Sequence, residues 1–282
     1  MNRPTGNEAG RVPAQRRHTL HFLRFVHAAS PVYLDTEVDM TRLLAHRGAA
    51  LGGAAGCRRY SVVSYVLAAV GRVLLRHPDA NAAYGGRLVP RIVRYASVDA
   101  KLTLDKISEG QRAVLAVVLP AVHASSLAEI QRTVDRLRDS AVAEIPELRR
   151  VRLLQRLPWP VGRLAFGLGC RLGRRQASMG TVAVSSLGHR PVGRFFSSGG
   201  TAVTVGLGQI WDAAVVRDGQ VCVAPLLPLS LTFDHRVLDG ALAADVLADL
   251  KQTLEELDDL VDDPARASSA APAKRADQPS VR

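Results

Sequence analysis

The stretch "LPLSLTFDHRVLDGALAADVLADL", residues 227–250, joins a strand pattern directly to a helix pattern. Leu229, Leu231 and Phe233 alternate with Ser230 and Thr232, the period of two that a strand requires. Beyond Gly240 the spacing changes: Leu242, Val246, Leu247, Leu250 and Leu254 recur at helical intervals. Between the two patterns stand the ionisable residues Asp234, His235, Arg236 and Asp239. The strand therefore delivers His235 to a loop, and Gly240 opens the next helix. A histidine so presented can serve as a general base near neutral pH, given a nucleophile to deprotonate. Asp239 can orient the imidazole or hold a nearby arginine. Two plainer roles compete: Asp239 as the cap of the helix, and His235 as a hydrogen-bonded core residue. The residues alone leave both open.

The rest of the chain predicts a mixed α/β domain. Strand patterns occur in "VYLDTEVDM", "RLVPRIVRYASVDAKLTL", "AVLAVVLPAV", "TVAVSSLG" and "TAVTVGLG". In "YSVVSYVLAAVGRVLLRHP" the residues Val62, Val63, Val66, Leu67, Val70, Val73 and Leu74 form a helical stripe stopped by Pro78. "SLAEIQRTVDRLRDSA" repeats the signal, with Ser126 as N-cap and Leu127, Ile130, Val134 and Leu137 on one face. There is no phosphate loop or dinucleotide fingerprint, which argues against nucleotide hydrolysis and hydride transfer.

Composition narrows the setting. Of 282 residues 47% are hydrophobic, enough for a packed core, and the net charge of +11 suits an acidic partner. Cys57, Cys170 and Cys222 show no paired spacing, and no signal-type apolar run opens the chain, so a cytoplasmic location is expected. No apolar stretch approaches the roughly 20 residues of a membrane span. Residues 1–18 read as a disordered basic tail and 263–282 as a second disordered tail, flanking one domain over 19–262.

Residues 145–179 stand apart within that domain as an insertion. From Leu148 to Met179 they hold Arg149, Arg150, Arg152, Arg156, Arg163, Arg171, Arg174 and Arg175 and no acidic residue. Two short amphipathic helices broken at "PWP" would sort apolar from cationic residues. Residues 148–178 then either lie on an anionic membrane surface, making the protein peripheral, or pack their leucines on the domain.

The stretch "SLTFDHRVLDGALAADVLADLKQTLEEL" resembles the active-site signature of the dihydrolipoamide acyltransferases of 2-oxoacid dehydrogenase complexes, whose catalytic domain shares its fold with chloramphenicol acetyltransferase. "VYLDTEVDMTRLL", "VVSYVLAAVGRVLLRHPDANAAY", "SLAEIQ" and "GTVAVSSLG" resemble further family segments in the family's order, and the likeness covers about residues 19–260. The resemblance implies a chloramphenicol acetyltransferase-like mixed α/β sheet flanked by helices, assembled as a homotrimer. It implies acyl transfer between thioester and thiol carriers of the coenzyme A or dihydrolipoyl type, these being substrates, with no tightly bound cofactor and no metal. In that reading His235 is the general base, Ser185 donates a hydrogen bond to the oxyanion, and Asp239 is a structural acid paired with Arg24. Arg236 and Gly240 support the loop, and histidine and serine come from different subunits.

The likeness has gaps. No lysine in an Asp-Lys-Ala context precedes the domain, so no lipoyl domain is expected here, and any lipoyl or carrier protein would be separate. "RAVLAVVLPAV" replaces the family's Gly-Leu-x-x-Pro-Val strand, which puts the acceptor in question. Besides acyl transfer, a noncatalytic trimeric scaffold remains open. Nucleic-acid binding ranks last, with no recognition motif and 5% aromatic residues for base stacking.

Overall fold

The computed structural model describes residues 12–52, 60–86, 89–108 and 110–260. In chain order the helices are α1 (Arg17–Val26), α2 (Thr41–Gly52), α3 (Val62–Arg76), α4 (Leu127–Asp139), α5 (Arg149–Arg156), α6 (Trp159–Gly169), α7 (Leu172–Met179) and α8 (Gly240–Glu256). The strands are β1 (Pro31–Asp39), β2 (Ala82–Gly85), β3 (Arg91–Arg94), β4 (Ala100–Ser108), β5 (Gln111–Leu119), β6 (Val182–Ser186), β7 (Val203–Leu207), β8 (Trp211–Arg217) and β9 (Gln220–Asp234). Seven strands form one sheet in the order β1-β9-β7-β6-β4-β5, with β8 on β9; β2 and β3 form a separate pair. β4, β6 and β7 run parallel, while β1, β5, β7 and β8 meet their partners antiparallel. The mixed sheet flanked by helices is the architecture expected.

β9 organises the sheet. Its first half pairs with β8 and its second half runs between β1 and β7. The exchange of partners falls at Pro225 and Pro228, which cannot donate to a ladder. Leu227, Leu229, Leu231 and Phe233 are buried in the main core. Burying each such side chain contributes about 1.5–3 kcal/mol. Ser230 and Thr232, on the alternate face, are buried too, and Ser230 Oγ donates to the Phe195 carbonyl at 2.5 Å. The strand is thus covered on both sides and holds one register.

The core face of the sheet packs on α3 and α8. α3 is buried on every side from Ser64 to Gly71, as a helix between sheet and outer helices must be. A Cβ on Gly71 would lie 2.8 Å from the His123 backbone nitrogen, so only glycine allows this approach. Ser126 caps α4 in a full capping box with Glu129.

Several elements differ from expectation. α1, and β8 with the first half of β9, were not anticipated. A helical turn already covers Ala14–Arg16, and Arg17 donates to the carbonyls of Gln155 and Leu157, so the expected tail 1–18 overlaps ordered chain. The tail at 263–282 lies outside the described residues. The arginine-rich segment forms three helices rather than two, broken at Pro158 and again at Cys170 and Arg171. Its apolar residues partly pack on the domain: Leu148 is fully buried, and Arg152 donates to the Val142 and Ile145 carbonyls. Leu153, Trp159, Val161 and Leu164 stay exposed.

Lys101 on β4 is buried, its Nζ donating to the Gly199 carbonyl and lying 4.7 Å from the centre of the Phe22 ring. Burial pushes its ammonium down to about 7. A lysine lowered on folding binds more protons unfolded than folded, so its contribution to stability rises with pH between about 7 and the ordinary value of 10.5. Urea melts should therefore show Lys101→Met more stable relative to wild type at pH 7 than at pH 10, the difference changing by up to about 1.4 kcal/mol per pH unit. A pH-independent difference would contradict this account of the buried amine.

Candidate functional site

The loop after β9 is held from two sides. The Asp234 carboxylate accepts from the Arg236 backbone N–H at 3.2 Å, from Arg236 Nε at 2.9 Å and Nη2 at 2.6 Å, and from the Ser30 N–H at 3.4 Å. Burial acts against its ionisation, but the hydrogen bonds and charge of Arg236 outweigh it and hold the carboxyl below its ordinary value. The Arg236 guanidinium also lies 4.6 Å from the centre of the Tyr84 ring. The His235 N–H donates to the Ser30 carbonyl at 2.9 Å, and the N–H groups of Val237 and Leu238 donate to the Asp234 carbonyl. Leu238 is buried beneath the turn.

This framework fixes the backbone of His235 and turns its side chain outward, 49% exposed. His235 is therefore not a core histidine. The Phe233 ring lies 5.6 Å from the imidazole between ring centres. Asp239 Oδ1 is 3.8 Å from Nδ1, beyond hydrogen-bond length but within ion-pair reach. Asp239 occupies the N-cap position of α8 without a side-chain capping bond, and its side chain is 92% exposed. Gly240 is the first residue of α8, with open space where a Cβ would be.

One chain does not bring together the whole predicted set. Ser185 pairs in register with Gly206, which in turn pairs with Ser230. His235 lies five residues beyond Ser230, just past the end of β9, about 16 Å away at strand rise. Ser185 and His235 thus sit at opposite ends of the central strands. Val182 and Val184 face the core, so Ser185 faces the opposite side of the sheet, partly exposed. Its neighbour Ser186 serves the turn, with Oγ accepting from the Gly188 N–H at 3.4 Å. No hydrogen bond of the Ser185 hydroxyl is present among the described residues. Arg24 forms no ion pair with Asp239 among the described residues: it lines a cleft with Leu20, Leu23, His27 and Trp159, and Asp239 lies against His235 instead. Cys170 is buried, and burial pushes its thiol up to about 11, which disfavours a thiolate there. Among the described residues no cluster of three or more His, Cys, Asp or Glu side chains is arranged to hold a metal ion.

Residues 170–261, which carry Ser185, β9 and the His235 loop, match the family described as 2-oxoacid dehydrogenases acyltransferase (catalytic domain). Over those residues the chain is similar to that catalytic domain. The dihydrolipoyllysine-residue acetyltransferase component of the pyruvate dehydrogenase complex of Bacillus subtilis is 26% identical over 235 residues, 82% of this chain and 46% of that protein. The chain thus spans about half the length of that acyltransferase. A probable dihydrolipoamide acetyltransferase from Listeria monocytogenes aligns at a TM-score of 0.65 with 19% identity, covering 90% of this chain and 96% of the other. The cubic core of a pyruvate dehydrogenase multienzyme complex aligns at 0.64 with 22% identity, covering 90% and 94%. The sheet and its flanking helices are thus the fold of acyltransferase catalytic cores.

Proposed function

We propose that the protein is an acyltransferase that moves an acyl group between thioester and thiol carriers of the coenzyme A or dihydrolipoyl type. The observation that carries this reading is His235, anchored through its backbone by Ser30 and the Asp234–Arg236 pair, with its imidazole open to solvent. A base held this way can approach a thiol that arrives from outside the chain. His235 takes the thiol proton as sulfur attacks the thioester carbonyl, and a tetrahedral oxyanion forms. Ser185 donates a hydrogen bond to that oxygen. Collapse expels the first carrier as its thiolate, which recovers the proton from His235. Asp239 stands close enough to favour the imidazolium that forms in between.

Because Ser185 and His235 are far apart in one chain, the reading requires a second copy to supply the serine, as in a homotrimer. An Arg24–Asp239 pair would likewise form only between copies. Carriers enter as substrates, with no tightly bound cofactor, and a separate lipoyl or carrier protein in the cytoplasm would present the acyl group.

The test is thioester cleavage by the purified protein with acetyl-, longer-chain and branched acyl-coenzyme A and free dihydrolipoamide as acceptor. Turnover that transfers the acyl group to dihydrolipoamide supports the reading. An assembled trimer that turns over none of these donors would favour a noncatalytic scaffold instead.

A further inference from the structure

The arginine-rich segment leaves a surface that acyl transfer does not use. Trp159 opens α6 and stacks on the buried ring of His21 from α1, at 4.3 Å between ring centres. That contact seats the indole firmly, yet Trp159 remains 38% exposed. It separates two shallow clefts, one against α1 with Leu23 and Arg24, the other along α6 with Arg163, Leu164 and Arg171. Leu23 and Leu164 are themselves 49% and 65% exposed. An indole and two leucines thus form an apolar ridge bordered by guanidinium groups.

The charge around this ridge is of one sign. Arg152 and Arg175 are used internally, Arg175 donating to the carbonyls of Cys170 and Tyr84. Arg163, Arg171 and Arg174 are exposed and form no ion pair among the described residues, and residues 148–179 contain no acidic side chain. No helix among the described residues is long and apolar enough to cross a bilayer.

We propose that this ridge docks the protein on an anionic lipid surface, with Trp159, Leu23 and Leu164 entering the headgroup region and Arg163 and Arg171 contacting lipid phosphates. Indole, with an apolar body and one N–H, suits the interface between headgroups and acyl chains. Arginine binds phosphate through its planar fork while its methylene stem lies along apolar surface. An acidic protein segment would satisfy the arginines but leave the ridge without a matching apolar face. Nucleic acid would call for a row of stacking aromatics along a basic track, and the residues lining the two clefts offer only the rings of Trp159 and His27.

The experiment uses the full chain carrying Trp211→Phe, which leaves Trp159 as the only indole. Vesicles of phosphatidylcholine alone are compared with vesicles containing phosphatidylglycerol, by flotation and by Trp159 emission. Flotation with the anionic vesicles only, a blue shift, and weakening at high salt are expected. Arg163→Ala with Arg171→Ala should lower the partition coefficient about 25-fold, at roughly fivefold per arginine. Leu164→Glu should abolish the blue shift while thioester turnover and the circular dichroism spectrum stay unchanged. Equal flotation with uncharged vesicles, or Leu164→Glu binding like wild type, overturns the proposal. So does failure to float together with retention on polyglutamate or DNA, which would assign the surface to an acidic protein or to nucleic acid.

Discussion

His235→Ala is expected to lower thioester turnover by about 10²- to 10⁴-fold, the range a positioned general base supplies. The substitution should leave the fold intact, because the loop is held by groups other than the imidazole. The His235 backbone N–H bonds Ser30, and Asp234 is satisfied by Arg236. The urea midpoint and the elution volume on gel filtration should therefore match wild type while the rate collapses. His235→Gln would separate shape from basicity, since it keeps a polar side chain but cannot take up a proton near neutral pH. Wild-type turnover by either variant would remove His235 from the chemistry.

Two inactive variants mixed together are expected to recover activity. Ser185→Ala removes one oxyanion donor and should slow turnover by about 10²- to 10³-fold. If histidine and serine belong to neighbouring copies around a cyclic axis, a trimer of mixed composition contains some sites with both groups intact. Random mixing of His235→Ala and Ser185→Ala chains, unfolded together and refolded, should give about a quarter of wild-type activity. Each variant refolded alone should remain inactive. The separation of Ser185 and His235 along the central strands motivates the design, since a site within one chain could recover nothing by mixing. Absence of recovery in a mixed assembly, shown by differently tagged chains co-purifying, would end the shared-site reading.

What could be read in the sequence was what depends on short-range pattern. The apolar stripe of α3, the Ser126 cap of α4 and the alternation of β9 are each set by residues a few positions apart, and each appears where the spacing puts it. β8 falls outside the strand patterns of the sequence although its signal is local: Asp218 and Gly219 both have positive φ, as a tight hairpin turn requires, and Arg217 pairs directly with Gln220. The alternation around that turn is weak because Val216, Val221 and Val223 all face outward and exposed. α1 also carries a local signal, with Phe22, Phe25 and Val26 at helical spacing, although the residue it buries fully is the polar His21. Long-range geometry was the least legible. The anchoring of Asp234 by Ser30 spans 204 residues, and the distance between Ser185 and His235 follows from strand order, which no local pattern encodes.

β9 has a consequence for how this protein can change over time. Its 15 residues serve the outer hairpin at one end and position His235 at the other. Side chains alternate between two covered faces, so one inserted or deleted residue between Leu226 and Asp234 would drive Ser230 and Thr232 into the space of Leu229, Leu231 and Phe233. Point substitutions along the strand are repairable by neighbours, whereas a change in its length is not. Variation in length should accordingly collect outside this strand.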